Sequence, residues 1–310
     1  MKKCVLCGET SGLPVWREQE AVIVRCGGCG LIYTDLEQDI AETFWKKPRP
    51  EKLDQVDFYW DTARARVYDE VLELLETLKD PEEKDPPRIL PRILDVGCGK
   101  GFFLKRASER GWDAYGQELS PHAVSFARER LGLTHVDLGR IENVSFPPDM
   151  FRVITLWDVI EHLPDPGPIL AKSAQLLGER GVLFIQTPNI EFHLPYARAK
   201  RLLARGPIFK RSRKHLLEAK HHLVQFSRAT LTRMLTKAGF RNISYHVLLP
   251  IESVAGSRNA GLAALKSGYT RLARGVFDVT NTRVLLSNTL HVFATRGELP
   301  LRTHFKALRR

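Results

Sequence analysis

Apolar positions along the chain fall into two rhythms. From Leu53 to Lys79 they recur at helical spacing, at Val56, Tyr59, Ala63, Val67, Val71, Leu74, Leu75 and Leu78, which predicts a long amphipathic helix. Around Arg92-Ile93-Leu94-Asp95-Val96 they are contiguous and predict a strand, which runs straight into Gly97, Gly99 and Gly101 and then into a helix opening at Phe102-Phe103-Leu104. Trp112 to Glu118 reads as the next strand. Pro81, Pro86, Pro87 and Pro91, with charges between them, mark a linker ahead of the first of these strands. Near the N-terminus Val22 to Arg25 and Leu31 to Tyr33 are short strands. After Phe240 come the segment Asn242 to Leu249, a helix from Gly261 to Phe277 and a last strand from Thr289 to Thr295.

The chain has 310 residues, 43% of them hydrophobic and 27% charged, enough for a sizeable core in one or two domains. It lacks a run of roughly eighteen apolar residues, which argues against a transmembrane helix and leaves only peripheral contact with a membrane. The 47 Lys and Arg against 36 Asp and Glu give a formal charge of +11, which favours an anionic partner.

The glycine turn carries the first chemistry. Gly97, Gly99 and Gly101 let the backbone bend sharply and approach a ligand, and Glu118, closing the next strand, could accept hydrogen bonds from both hydroxyls of a ribose. A dinucleotide fingerprint would read G-x-G-x-x-G and face a pyrophosphate. Here the spacing is G-x-G-x-G, Phe102 and Phe103 follow Gly101, and Asp95 stands before the first glycine, where it can meet an ammonium group. A cationic, phosphate-free ligand fits this turn better.

From Ile93 to Phe240 these motifs resemble the class I S-adenosylmethionine-dependent methyltransferases. Further segments extend the resemblance: Phe146 to Asp158 with Val159-Ile160-Glu161-His162-Leu163-Pro164-Asp165-Pro166, then Gly181 to Asn189, and His222 to Phe240 as a helix with a glycine stop. The E-H-L-x-D-P run is similar to the small-molecule branch, which includes ubiquinone-pathway O-methyltransferases and sugar and natural-product enzymes. Arg152 departs from the pattern, which usually has an acid there. The resemblance implies an α/β, Rossmann-like, doubly wound seven-stranded sheet. It also implies that Asp95, Gly97, Cys98, Gly99 and Gly101 hold the methionine end of the cofactor, Glu118 the ribose, Leu119, Arg140 and Ile141 the adenine border, and Trp157 the pocket floor. Cys98 reads as a small buried residue rather than a nucleophile. Tyr59, Trp60 and Arg64 on the preceding helix either touch ligand or pack.

Cys4-Val5-Leu6-Cys7-Gly8 and Cys26-Gly27-Gly28-Cys29-Gly30 form paired C-x-x-C-G knuckles. Four thiolates at this spacing point to a structural zinc ribbon, with Cys4, Cys7, Cys26 and Cys29 as ligands. Two strands make too little core without such a staple. Disulfides and redox catalysis are the alternatives. A signal peptide is not recognisable, and with reduced thiols this gives a cytoplasmic expectation.

Methyl transfer to a hydroxyl needs alignment, exclusion of water and a proton acceptor. Asp158, Glu161 and His162 stand at i, i+3 and i+4 and would share a face if the segment turns helical. His162 is then a general base, or the three hold a divalent cation, as the resembling ubiquinone-pathway enzymes suggest, or they shape the pocket floor. His222, His193 and Tyr196 are weaker acceptor-side candidates. Arg198, Lys200, Arg201, Arg205, Lys210, Arg211, Arg213, Lys214 and Lys220 concentrate positive charge in an insert that the resemblance places as a lid.

The sequence therefore divides into a zinc-binding ribbon over 1–34, an amphipathic helix and Pro-rich linker over 35–90, a methyltransferase domain over 91–298 with a basic lid insert over 197–222, and a basic tail over 299–310. The expected activity is O-methylation of a small-molecule, glycan or lipid-linked acceptor. An RNA methyltransferase docking nucleic acid through ribbon and insert is the alternative, and a non-catalytic zinc-ribbon adaptor a second one.

Overall fold

The structure, a computed structural model, describes residues 2–18, 20–35, 63–77, 90–203, 216–249 and 260–297. Tyr59, Trp60, the Pro-rich linker, the basic residues Arg205 to Lys214 and the 299–310 tail lie outside the described residues.

Seven strands form the main sheet: β4 (Arg92–Val96), β5 (Asp113–Glu118), β6 (Val136–Leu138), β7 (Phe151–Trp157), β8 (Leu177–Pro188), β10 (Asn242–His246) and β11 (Thr289–Thr295), in the order β10-β11-β8-β7-β4-β5-β6. The five strands β4 to β8 pair in parallel, and β11 runs antiparallel between β8 and β10. The expected doubly wound α/β sheet is present. Strand order reverses around β4, and the crevice beyond its carboxyl end is where such sheets bind ligands.

The contiguous apolar run of β4 follows from burial of both sheet faces. Ile93 joins one core cluster with Val71, Leu72 and Phe103, whereas Leu94 joins the opposite one with Ile160 and Leu170. The first cluster is closed by α1 (Ala65–Glu76), which buries Val67, Tyr68, Val71, Leu72, Leu74 and Leu75, the stripe expected from the spacing. Tyr68 meets Trp157 edge-on with ring centroids 4.7 Å apart, and Trp157 touches Phe103 of α2 (Phe102–Glu109) at 5.2 Å and Phe184 at 4.6 Å.

Helices α3 (Pro121–Glu129), α4 (Gly167–Leu176) and α5 (Ile190–Leu203) follow β5, the loop after β7, and β8 in turn. The helix expected from His222 begins later: α6 spans Arg228–Lys237, because the Ser227 hydroxyl accepts from the Thr230 amide and Thr230 reciprocates in a capping box. Its glycine stop holds, with Gly239 at φ 98°. The segment Val224–Gln225 is instead a strand, β9. α7 covers Ala260–Val279. Among the described residues no helix is long and apolar enough to cross a membrane.

The N-terminal strands β1 (Gly12–Glu18), β2 (Ala21–Cys26) and β3 (Ile32–Thr34) form an antiparallel sheet whose fourth member is β9. Ile32 pairs with Gln225 and Tyr33 with Val224. The ribbon thus shares its sheet with a segment that follows the basic insert.

Candidate functional site

At the end of β4 the chain enters the turn Gly97 to Gly101, whose glycines carry φ of 74°, 54° and 83°. The amides of Gly97 and Cys98 donate to the Gln117 carbonyl at 2.8 and 3.1 Å, which ties the turn to β5. A side chain at Gly97 would start 2.7 Å from Val159 Cγ2, whereas one at Gly99 would meet nothing within 4 Å. Gly97 therefore serves close packing, and Gly99 borders open space that a ligand can fill.

Two carboxylates stand at the ends of these strands, Asp95 in β4 and Glu118 closing β5. Asp95 is 2% exposed and accepts from Thr155 Oγ1 at 2.7 Å. Burial raises its pKa to about 8, Glu118 adding to the rise while the Thr155 hydroxyl and Arg64 oppose it. Glu118 Oε2 accepts from the Gly99 amide at 2.9 Å, and Oε1 from Leu119 and Ser120 at 2.7 and 2.8 Å. Burial still lifts its pKa against those three amides. The Cys98 thiol is buried and raised well above the ordinary range, first by burial and then by Asp95 and Glu118, which suits a packing residue. Ile141 is buried in a one-turn 3₁₀ helix, with half-buried Arg140 before it and half-buried Leu119 after β5. Trp157 sits in the aromatic cluster with its indole nitrogen buried and unpartnered.

Beyond β7 the backbone turns at Asp158, φ 51°, into the 3₁₀ turn Ile160–His162. The i, i+3, i+4 spacing would bring Asp158, Glu161 and His162 to one face of a helix; the segment is a 3₁₀ turn, and the Asp158 carboxylate has partners on other elements. Its Oδ2 bonds Arg64 and accepts from Gln186 Nε2 at 2.9 Å. Arg64, 3% exposed just ahead of α1, thereby reaches the carboxyl end of β7. Asp158 still acts electrostatically on Glu161, His162 and His222.

Glu161 and His162 are joined by His222, with ligand atoms of all three within 4.8 Å of one another. Glu161 is 1% exposed; its Oε2 accepts from Thr187 Oγ1 at 3.0 Å, and its Oε1 is buried without a partner. Burial, then Asp158, pushes its pKa well above the usual carboxylate range. His162 Nδ1 donates to the His221 carbonyl at 2.9 Å, which leaves the lone pair on Nε2. Burial lowers the pKa of His162, and lowers that of His222 to about 3 with His162 contributing. The two rings meet edge to face at 5.0 Å. Glu161, His193, Leu217, His222, Val224 and Gln225 line a cavity of about 210 Å³ here. His193 Nε2 bonds the Asn288 carbonyl at 2.9 Å, whereas Tyr196 is 51% exposed and stacks on Phe192. Sequence spacing under-weighted His222, which lies far along the chain from His162 and is delivered by β9.

In the ribbon the Sγ atoms of Cys4 and Cys29 are 3.5 Å apart, as are those of Cys7 and Cys26, and all four lie within 4.8 Å. These separations are far beyond a disulfide bond of about 2.05 Å and suit thiolates around one ion. Burial opposes ionisation at Cys26, yet the amides of Cys29 and Gly28 and the neighbouring thiols pull its pKa down to about 7. Of the basic insert, Arg201 lies over the Trp16 ring at 5.0 Å, and Arg198 and Lys200 share its helix.

Residues 59–245 match the family model of a methyltransferase domain. The chain is 32% identical over 103 residues to a ubiquinone biosynthesis O-methyltransferase of Aeromonas salmonicida, a match covering 32% of this chain and 43% of that protein. It is 28% identical over 181 residues to one of Neisseria meningitidis, covering 51% and 68%. The first match thus spans under half of its relative's length. A chain of the Haloferax volcanii complex with the Trm112 methyltransferase activator superposes with a TM-score of 0.51 at 13% identity, covering 84% of this chain and 98% of that one, a likeness of fold.

Proposed function

The chain belongs to the methyltransferase-domain family, and from that premise we propose that it methylates a hydroxyl of a small-molecule acceptor with S-adenosylmethionine. The observation that carries this reading is Glu118 bonded to the amide of Gly99, whose Cβ side is open, with the buried Asp95 carboxylate near enough for Glu118 to act on it. A buried acid bonded to a neutral hydroxyl gains from an ammonium group, and the G-x-G-x-G spacing followed by Phe102 and Phe103 departs from the pyrophosphate-binding turn. The cofactor supplies a methyl group on a positively charged sulfur. Asp95 and the Gly97 to Gly101 turn hold its amino-acid end. Glu118 takes a ribose hydroxyl on the Oε2 lone pair that its three amide partners leave free. Leu119, Arg140, Ile141 and Trp157 border the remainder.

On the acceptor side, His162 Nε2 takes the hydroxyl proton, its tautomer fixed by the His221 carbonyl. A second reading is favoured by the unpartnered Glu161 Oε1: with neutral His162 and His222 it makes a donor set for a divalent cation that would polarise the acceptor oxygen. Four thiolates of Cys4, Cys7, Cys26 and Cys29 hold structural zinc. The basic character of α5 and the residues after it suits an anionic, sugar or lipid-linked acceptor.

Isothermal titration with S-adenosylmethionine and S-adenosylhomocysteine tests the proposal. Micromolar binding is expected and should be lost in Glu118→Ala; a folded protein that binds neither overturns it.

A further inference from the structure

The last residues of the basic insert return to the site along the ribbon, and two ribbon side chains grip them. Glu18, at the end of β1 and 7% exposed, accepts from the amides of Leu216, Leu217 and Ala219. Its Oε1 takes the first two, the second at 3.2 Å, and its Oε2 takes the third at 2.9 Å. Thr34, at the end of β3 and 1% exposed, points its hydroxyl at the carbonyls of Ala219 (2.9 Å) and His222 (3.1 Å), and its amide donates to the Leu223 carbonyl at 2.9 Å. Pairing of β3 with β9 then fixes Val224 and Gln225. Backbone on both sides of His222 is therefore held by the ribbon, in addition to the His162 bond to the His221 carbonyl and the bridge of Phe226 to Asn189 at the end of β8.

The grip depends on the knuckles. β2 ends at Cys26, whose amide donates to the Leu31 carbonyl at 2.8 Å, and Cys29 stands just ahead of β3, so the position of β3 follows the Cys26–Cys29 turn. Arg233 and Lys237 of α6 donate to the carbonyls of Cys29 and Leu6, at 3.2 and 3.1 Å. Trp16, Ile23 and Ile32 of the ribbon pack with Leu217 and Ala219, and a metal at the four cysteines would fix the turns that set these strands in place.

We propose that Glu18 and Thr34 are positioning residues through which the metal-bound ribbon sets the 216–225 segment, and with it His222, against Glu161 and His162. The proposal rests on the reading of that cluster as the acceptor side of the enzyme. Metal occupancy at the four cysteines then tunes the acceptor wall, while the cofactor turn, built on β4 and β5, is independent of it.

Hydrogen exchange read by mass spectrometry on the full-length, zinc-loaded protein tests this, with S-adenosylhomocysteine titrated in parallel. Glu18→Gln and Thr34→Val should each speed exchange of the 216–225 amides by about tenfold or more. Zinc content and affinity for S-adenosylhomocysteine should stay unchanged, and the imidazole resonances of His222 should move. Thr34→Ser, which keeps the hydroxyl, should restore protection. Zinc chelation should loosen 216–225 before β4 and β7 exchange. Protection of 216–225 that survives chelation, or a Thr34→Ser variant as loose as Thr34→Val, overturns the proposal. If the parent protein fails to bind S-adenosylhomocysteine, the methyltransferase reading falls, and the exchange data still decide the role of the ribbon.

Discussion

At the residue scale, Asp95 gives the sharpest expectation. With its pKa raised to about 8 by burial, the carboxyl is mostly protonated at pH 7 before a ligand arrives. An ammonium partner favours the ionised form, so cofactor binding should release close to one proton and strengthen as pH rises toward 8. Titration calorimetry at pH 7 in two buffers of different ionisation enthalpy measures this directly; Asp95→Asn should bind weakly with no release. The stability sign runs the same way. The folded chain keeps a proton that the unfolded chain gives up, so this group costs stability as pH climbs from about 4 through about 8, and Asp95→Asn should flatten that slope in denaturant unfolding. Asp95, Glu118 and the glycines were legible because all sit at strand ends in one βαβ unit. Asp158 was not: spacing along a turn cannot reveal that Arg64, from a helix far upstream, claims its carboxylate.

At the scale of elements, periodicity identified what is long and continuous. The stripe from Val67 to Leu75 is the buried face of α1, and Thr289 to Thr295 is β11 residue for residue. The segment from His222 to Ser227 was misread as helix because a two-residue strand has no rhythm of its own; β9 exists only by pairing with β3. The true helix start lies in local chemistry that spacing passes over, the Ser227–Thr230 capping box. Ser227→Ala should cost about 1 kcal/mol in urea unfolding. Leu72→Ala, which empties a fully buried position under α1, should cost roughly 2 to 5 kcal/mol. A smaller loss at Leu72 than at Ser227 would contradict the packing of α1 on the sheet.

For the whole molecule, the knuckle spacing pointed to the cluster of four cysteines but not to its attachment, since a division at residue 34 treats the ribbon as a separate unit. Its sheet is completed by β9 and its side chains hold the backbone of 216–222. One cobalt ion per chain should replace the native metal with the visible spectrum of tetrahedral thiolate ligation, and Cys4→Ser should abolish it. Chelation should lower the melting temperature of the protein, with 216–225 loosening ahead of the main sheet. The shared sheet also has a consequence for biosynthesis. On a ribosome β3 emerges about 190 residues before β9, so the nascent ribbon waits with one edge unpaired, a template for pairing with other chains. Metal capture during translation would hold that edge in shape until its partner arrives. Zinc-starved cells should accordingly accumulate this protein as aggregate, whereas a chain permuted so that 216–249 precede the ribbon should escape that fate.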